Sequence, residues 1–110
     1  MTVKELATKL DLHFLCGEEQ ADRPVTGCYC GDLLSWVMSR AKEGDAWLTV
    51  MGNINSVGVA VLADIACIVL TENAPFDLPA LERARQNRVV VLQAQKNTYE
   101  IAAAIANLFG

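Results

Sequence analysis

Two cysteines stand one residue apart in the stretch Val25–Val37, VTGCYCGDLLSWV, with Gly31-Asp32 next and Ser35 one helical turn on. Thiolates ligate metals and exchange electrons. A glycine and a hydrogen-bonding side chain where a strand turns into a helix can contact a polar or anionic ligand. A second polar run, TVMGNIN, offers a hydroxyl at Thr49, a glycine at Gly52 and amides at Asn53 and Asn55. Thr71-Glu72-Asn73 and Gln93-Ala94-Gln95 are two further polar stretches. The one histidine, His13, stands beside Phe14 with no identifiable acid or nucleophile partner, so it reads as a structural or surface residue.

The cysteines admit two readings. A structural zinc site takes four ligands, usually with CxxC or histidine spacing. Cys28 and Cys30 would share one face of a strand, but Cys16 and Cys67 would have to converge on them. Each cysteine sits among apolar residues, so the simpler expectation is four small hydrophobes, with Cys28 and Cys30 on the inward face. A metal- or redox-responsive protein using Cys28 and Cys30 is the alternative. Catalysis has little support: there is no G-x-x-x-x-G-K-[ST] loop, nucleophile elbow or metal-ligand cluster. A non-enzymatic domain without a cofactor or metal is expected.

These residues depend on the elements that carry them. Thr2 and Glu5 form a capping box for a helix with Val3, Leu6, Ala7 and Leu10 on one face. Strands are expected at Leu12–Cys16, Val25–Cys30, Ala46–Val50, Ala66–Leu70 and Val89–Leu92. Asp32 is placed as the N-cap of a helix burying Leu33, Leu34, Val37, Met38 and Ala41, stopped by Gly44. Val57–Ala63 is read as a buried helix, apolar all round, capped by Asn55. Asp77 and Pro79 open a helix to Asn87 with Leu78, Leu81 and Ala84 inward, and Asn97 caps the last helix to Leu108. Alternating strands and helices imply an α/β fold: one three-layer domain over residues 1–110, with a mostly parallel sheet of about five strands and helices on both faces. The first two strands lack a clear helix between them, so the sheet edge is expected to be mixed. If the strands are parallel, the polar loops all emerge at the carboxyl edge, where ligands gather at a switch in strand order. The candidate ligand-binding residues are Gly31, Asp32, Ser35, Thr49, Gly52, Asn53 and Asn55.

Composition narrows the partners. The 110 residues carry a net charge of −4 and scattered basic side chains, which disfavours nucleic acid, whose binders present a basic stripe. The Arg83, Arg85 and Arg88 group reads as a solvated face. At 53% apolar, the chain has more aliphatic surface than its core needs, which suggests an exposed patch used for self-association. Ala46–Ala63 is free of charge, but Gly52 to Ser56 in its middle would put two amides into hydrocarbon, so no membrane span is expected. Four cysteines and an N-terminus without an apolar leader segment point to the cytoplasm.

Asp22-Arg23-Pro24-Val25-Thr26-Gly27 resembles the signature of the DRTGG domain, and YCGDLLSWVMSRAKEGDAWLT and NSVGVAVLADIACIVLTE extend the likeness over essentially the whole chain. The sequence is similar to stand-alone DRTGG proteins and to the N-terminal domain of HPr kinase/phosphorylase, whose kinase activity resides in a separate P-loop domain. Pro24-Val25 stand where the signature has Thr-Gly, and Met51 and Asn53 stand where many members have Gln and His. The resemblance implies an α/β sandwich-like fold and a regulatory or sensing role. It also implies a place near a homodimer interface and an adenine nucleotide or a partner protein as the bound species.

Overall fold

Short-range capping sets most of the helix boundaries in the computed structural model, which describes residues 1–110. The chain runs α1 (Val3–Leu10), β1 (His13–Cys16), a single 3-10 turn (Glu18–Gln20), β2 (Gly27–Cys30) and α2 (Leu34–Arg40). It continues through β3 (Asp45–Thr49), α3 (Ile54–Leu62), β4 (Cys67–Leu70), α4 (Leu78–Gln86), β5 (Val91–Gln93) and α5 (Thr98–Phe109). The Thr2/Glu5 box opens α1 and an Asn97/Glu100 box opens α5, each satisfying two backbone N–H groups at a helix start. Asp77 caps α4 by accepting from the Ala80 N–H.

The five strands form one sheet in the order β1-β5-β4-β3-β2. Strands β2 to β5 are parallel and β1 pairs antiparallel with β5, which is the mixed edge the sequence implied. Each right-handed crossover from β2 to β5 steps the same way along the sheet, so its helix lands on the same face. Val37 of α2, Val57 and Ala60 of α3, and Ala80 and Ala84 of α4 therefore pack together over Trp47, Ile68, Leu70 and Val91. On the opposite face α1 and α5 bring Val3, Leu6, Ile101 and Ile105 onto Ala46, Leu48, Val69 and Leu92. The central strands β3 and β4 are buried on both sides, as a covered parallel sheet requires. The result is a three-layer α/β domain. No helix is long and apolar enough to cross a membrane.

Several local expectations give way to tertiary demands. Strand β2 begins at Gly27 rather than Val25, and β5 starts two residues later and ends one residue later than the valine-rich run suggests. Leu78 is 79% exposed: it is the first residue of α4, and the buried stripe starts at Ala80. Leu33 and Met38 are exposed, leaving Val37 as the fully buried side chain of α2. Helix α3 is capped by Asn53, whose side chain accepts from the N–H groups of Asn55 and Ser56, not by Asn55. It is also not buried all round, since Ile54, Val61 and Leu62 face outward.

The signature segment is scaffold. The Val25 N–H donates to the Met1 carbonyl and the Val3 N–H to that of Arg23, tying the N-terminus to the start of β2. The Arg23 guanidinium donates to the Asp64 carbonyl at 2.6 Å and pairs with its carboxylate at 3.0 Å. That grip holds the chain where Asp64, at φ 53, turns out of α3. Gly44, at φ 84, leaves room for Thr26, whose hydroxyl would meet any Cβ there. All these contacts lie at the amino edge of the parallel strands, opposite the polar loops.

Candidate ligand site

At the carboxyl edge the parallel strands end in two different neighbourhoods. The β2/β3 half contains most of the residues selected from the sequence. Asp32 does not cap α2; Leu33 occupies that position without a side-chain cap. The Asp32 carboxylate instead accepts from the Thr49 hydroxyl at 2.7 Å and the Val50 N–H at 3.0 Å. The Thr49 hydroxyl oxygen in turn accepts from the Met51 N–H. The Ser56 hydroxyl donates to the Met51 carbonyl, and the Gly52 carbonyl accepts from the Asp77 N–H. Gly52 sits directly against the Pro75 carbonyl, with no space for a Cβ. Gly31 accepts from the Trp47 indole at 2.8 Å and donates to Leu48. The structure thus brings Gly31, Asp32, Thr49, Gly52 and Asn53 together. Asp32 and Thr49 bond to each other, Gly31 to Trp47 and Leu48, Gly52 to Asp77, and the Asn53 side-chain carbonyl oxygen to the start of α3. The side chains of Ser35 and Asn55 are exposed on α2 and α3 and take no part in these bonds, although the Asn55 N–H donates to Asn53.

The β4/β5 half is built differently. The connection after β4 leaves toward the α2–α4 face and the connection after β5 toward the α1/α5 face. Adjacent strands whose connections part in this way open a crevice at the carboxyl edge. The winding from β2 to β4 never reverses, so no such crevice opens between β2 and β3. Beside the parting lies a hollow of about 490 Å³ with Asp11, His13, Asn73, Gln93, Gln95 and Lys96 around it and Leu10 and Ile101 against it. Glu72 and Asn73, at φ 57 and 53, are consecutive left-handed residues without a glycine. Their N–H groups donate to Lys96 and Ala94, which pins the turn across the mouths of both strands. The Thr71 and Thr98 hydroxyls meet at 2.7 Å beneath it, and the Gln93 amide is held by the Ala74 carbonyl.

The hollow therefore offers one ammonium, one imidazole, one carboxylate and free amides over an apolar floor, a chemistry suited to a polar small molecule with a flat or apolar part. The loops at Asn73 and Gln93–Gln95 were legible as polar stretches. Asp11, His13 and Lys96 were not, because they join the site only when β1 pairs back on β5 and sets His13 opposite Gln93.

The cysteines divide into two pairs. Cys16 and Cys67 are buried, and burial pushes both thiols up, Cys67 to about 12. Cys28 and Cys30 are exposed, contrary to the inward orientation expected from their apolar neighbours. Strand β2 is the sheet edge, and Cys28 and Cys30, opposite Ala46 and Leu48 in register, keep exposed surface there. The neighbouring Cys28 thiol draws Cys30 down to about 7, while the Cys30 thiol and burial push Cys28 up. No three metal-ligating side chains come together anywhere in the chain.

The fold and site define a small α/β domain: a singly wound parallel sheet with one antiparallel edge and a polar hollow where its last connections part. A family model for the DRTGG domain matches residues 5–108, and the chain belongs to that family. No curated protein matches it. Among solved structures it is similar to the CBS and DRTGG domains of the regulatory region of Clostridium perfringens pyrophosphatase, complexed with the activator diadenosine tetraphosphate. The TM-score is 0.74 at 12% identity over 94% of this chain. The chain spans 45% of that structure's length.

Proposed function

We propose that this is a cytoplasmic, non-catalytic regulatory domain that binds a small polar ligand in the hollow at the β4/β5 carboxyl edge and works as a homodimer. The observation that carries this reading is the contrast in hydrogen bonding: the hollow lies at the one parting of connections and keeps Gln95 and Lys96 unengaged. Lys96 supplies charge for a phosphate or carboxylate, the amides read polar edges, and Leu10 and Ile101 receive a ring. An adenine nucleotide is the first ligand to test, because the similar pyrophosphatase region takes a dinucleotide of adenosine as its activator. A ligand that binds only the folded chain must raise its melting temperature with concentration. We expect a nucleotide from a panel of mono-, di- and dinucleoside phosphates to do so, and the rise to disappear in Lys96→Ala. A flat response across the panel at millimolar concentration overturns the nucleotide assignment.

A second reading has its own support. Two exposed thiols on one strand face, one of them ionised near neutrality, are suited to bind a thiophilic metal or to oxidise. Metal analysis of protein purified without chelators, with thiol counting, tests it. Stoichiometric metal lost on Cys30→Ser supports this role, and metal-free protein with all four thiols free after mild oxidation removes it.

A further inference from the structure

Helix α3 is largely apolar, with Asn55 its one exposed polar side chain, but is covered on one side only. Its sequence, INSVGVAVL, carries no charge. Ser56, Val57, Val59 and Ala60 are buried, whereas Ile54, Val61 and Leu62 are 38%, 47% and 71% exposed. A helix that is apolar on every side is normally covered on every side. From this outward strip Ile54 and Leu62, with Asn55, Gly58 and Val59, form one side of a groove of about 410 Å³ that has Leu34 and Met38 of α2 and Arg83 of α4 at its other walls. Gly58 lies midway along the strip. Glycine weakens a helix relative to alanine, and apart from its two chain neighbours and the surrounding helix backbone nothing lies within 4 Å of the place its Cβ would take. Nothing inside the monomer calls for glycine there.

We propose that this groove is the interface between two copies of the chain, with α3 of the second copy lying antiparallel over α3 of the first and crossing it at Gly58. The proposal rests on the homodimer reading above and gives it a surface. The strip is symmetric about the glycine: Ile54 stands four residues before it and Leu62 four residues after, on the same face. In an antiparallel two-fold crossing, Ile54 of one copy meets Leu62 of the other, and Leu62 meets Ile54, which is the self-complementarity an isologous contact needs. Paired glycines let the two backbones approach, and the i, i+4 row on each side forms the ridges. Met38 widens the apolar centre, while Arg83 stays at the wet rim. The exposed parts of Ile54, Val61, Leu62 and Met38 amount to on the order of 300 Å² per chain. With the groove walls, two copies would bury roughly 1,000 Å², the lower bound for a specific contact, so the dimer is a reversible one.

Sedimentation of the whole chain from low to high micromolar concentration tests this, using wild type, Leu62→Glu, Gly58→Ala and the control Leu78→Glu. We expect wild type to associate reversibly, Leu78→Glu to match it, and Leu62→Glu to weaken association at least tenfold while the dilute protein melts as wild type does. Gly58→Ala separates an interface role from a folding role: it should raise the melting temperature of the dilute monomer yet weaken the dimer. A wild type that stays monomeric at high micromolar concentration overturns both the surface and the homodimer reading. A dimer that survives Leu62→Glu and Gly58→Ala overturns the surface alone.

Discussion

The two halves of the carboxyl edge carry similar residue types and use them in opposite ways. At the ends of β2 and β3, Asp32, Thr49, Gly52, Asn53 and Ser56 spend their hydrogen-bonding capacity on each other and on the backbone. At the ends of β4 and β5 the loops bond through their backbones, leaving the side chains of Gln95 and Lys96 free beside a hollow. Polar residues after a strand are thus not evidence of a site until their partners are counted. The difference originates in topology. Helices α2, α3 and α4 all fall on one face, and of the connections that follow the parallel strands only the one after β5 goes to the other.

Substitutions should separate the halves, with stability lost in one and affinity in the other. The largest effect is expected from Gly52→Ala, whose new methyl would press into the Pro75 carbonyl. Displacing that backbone should cost roughly 2–3 kcal/mol, read from urea unfolding followed by fluorescence of the buried Trp47. Asp32→Ala leaves the Thr49 hydroxyl and the Val50 N–H without their acceptor and should cost about 1–3 kcal/mol. Ligand affinity of the molecules that remain folded should not change, by calorimetric titration. In the other half Lys96→Ala should move stability by no more than ~0.5 kcal/mol, as for an ordinary surface change. It should weaken ligand binding about tenfold, equivalent to roughly 1.4 kcal/mol. If Asp32→Ala weakened binding and Lys96→Ala did not, the assignment of the two halves would be reversed.

The smallest effect concerns reactivity rather than folding. Because the folded Cys30 pKa is lowered to about 7, its thiolate is present above that pH and lost below it. Alkylation of one thiol per chain should rise through pH 7 and level off above. Cys28, shifted upward, should stay a poorly reactive thiol over the same range. Cys28→Ala removes the neighbouring thiol that holds Cys30 down, so the midpoint should return toward about 8.5. Mass spectrometry of alkylated peptides across pH resolves both outcomes, and a midpoint unmoved by Cys28→Ala would refute the pairing.

Much of the fold could be read from the sequence because much of it is local. The Thr2/Glu5 box, the Asn97/Glu100 box and the Asp77 cap are each decided within three residues, and the strand–helix alternation dictated the parallel sheet. The errors came where a distant partner competed. Asp32 has the sequence of a cap, but the end of β3, 17 residues on, offers its carboxylate two donors in a part-buried position. Cys28 and Cys30 sit in an apolar stretch, yet they are exposed because β2 takes the outer edge of the sheet, which only the strand order decides. The proposed site was half legible. Asn73 and Gln93–Gln95 announced themselves as polar loops, whereas His13 joins them through an antiparallel pairing across 80 positions of chain.

The central claim is that the open half of the edge, not the sealed half, receives the ligand. It is tested most directly by titrating the isotopically labelled chain with an adenine nucleotide while following each backbone amide by NMR. The account predicts saturable shifts concentrated at Asp11, His13, Asn73 and Gln93 to Lys96, with the amides from Gly31 to Asn55 unmoved. Shifts concentrated instead between Gly31 and Asn55, or none that saturate, would contradict it.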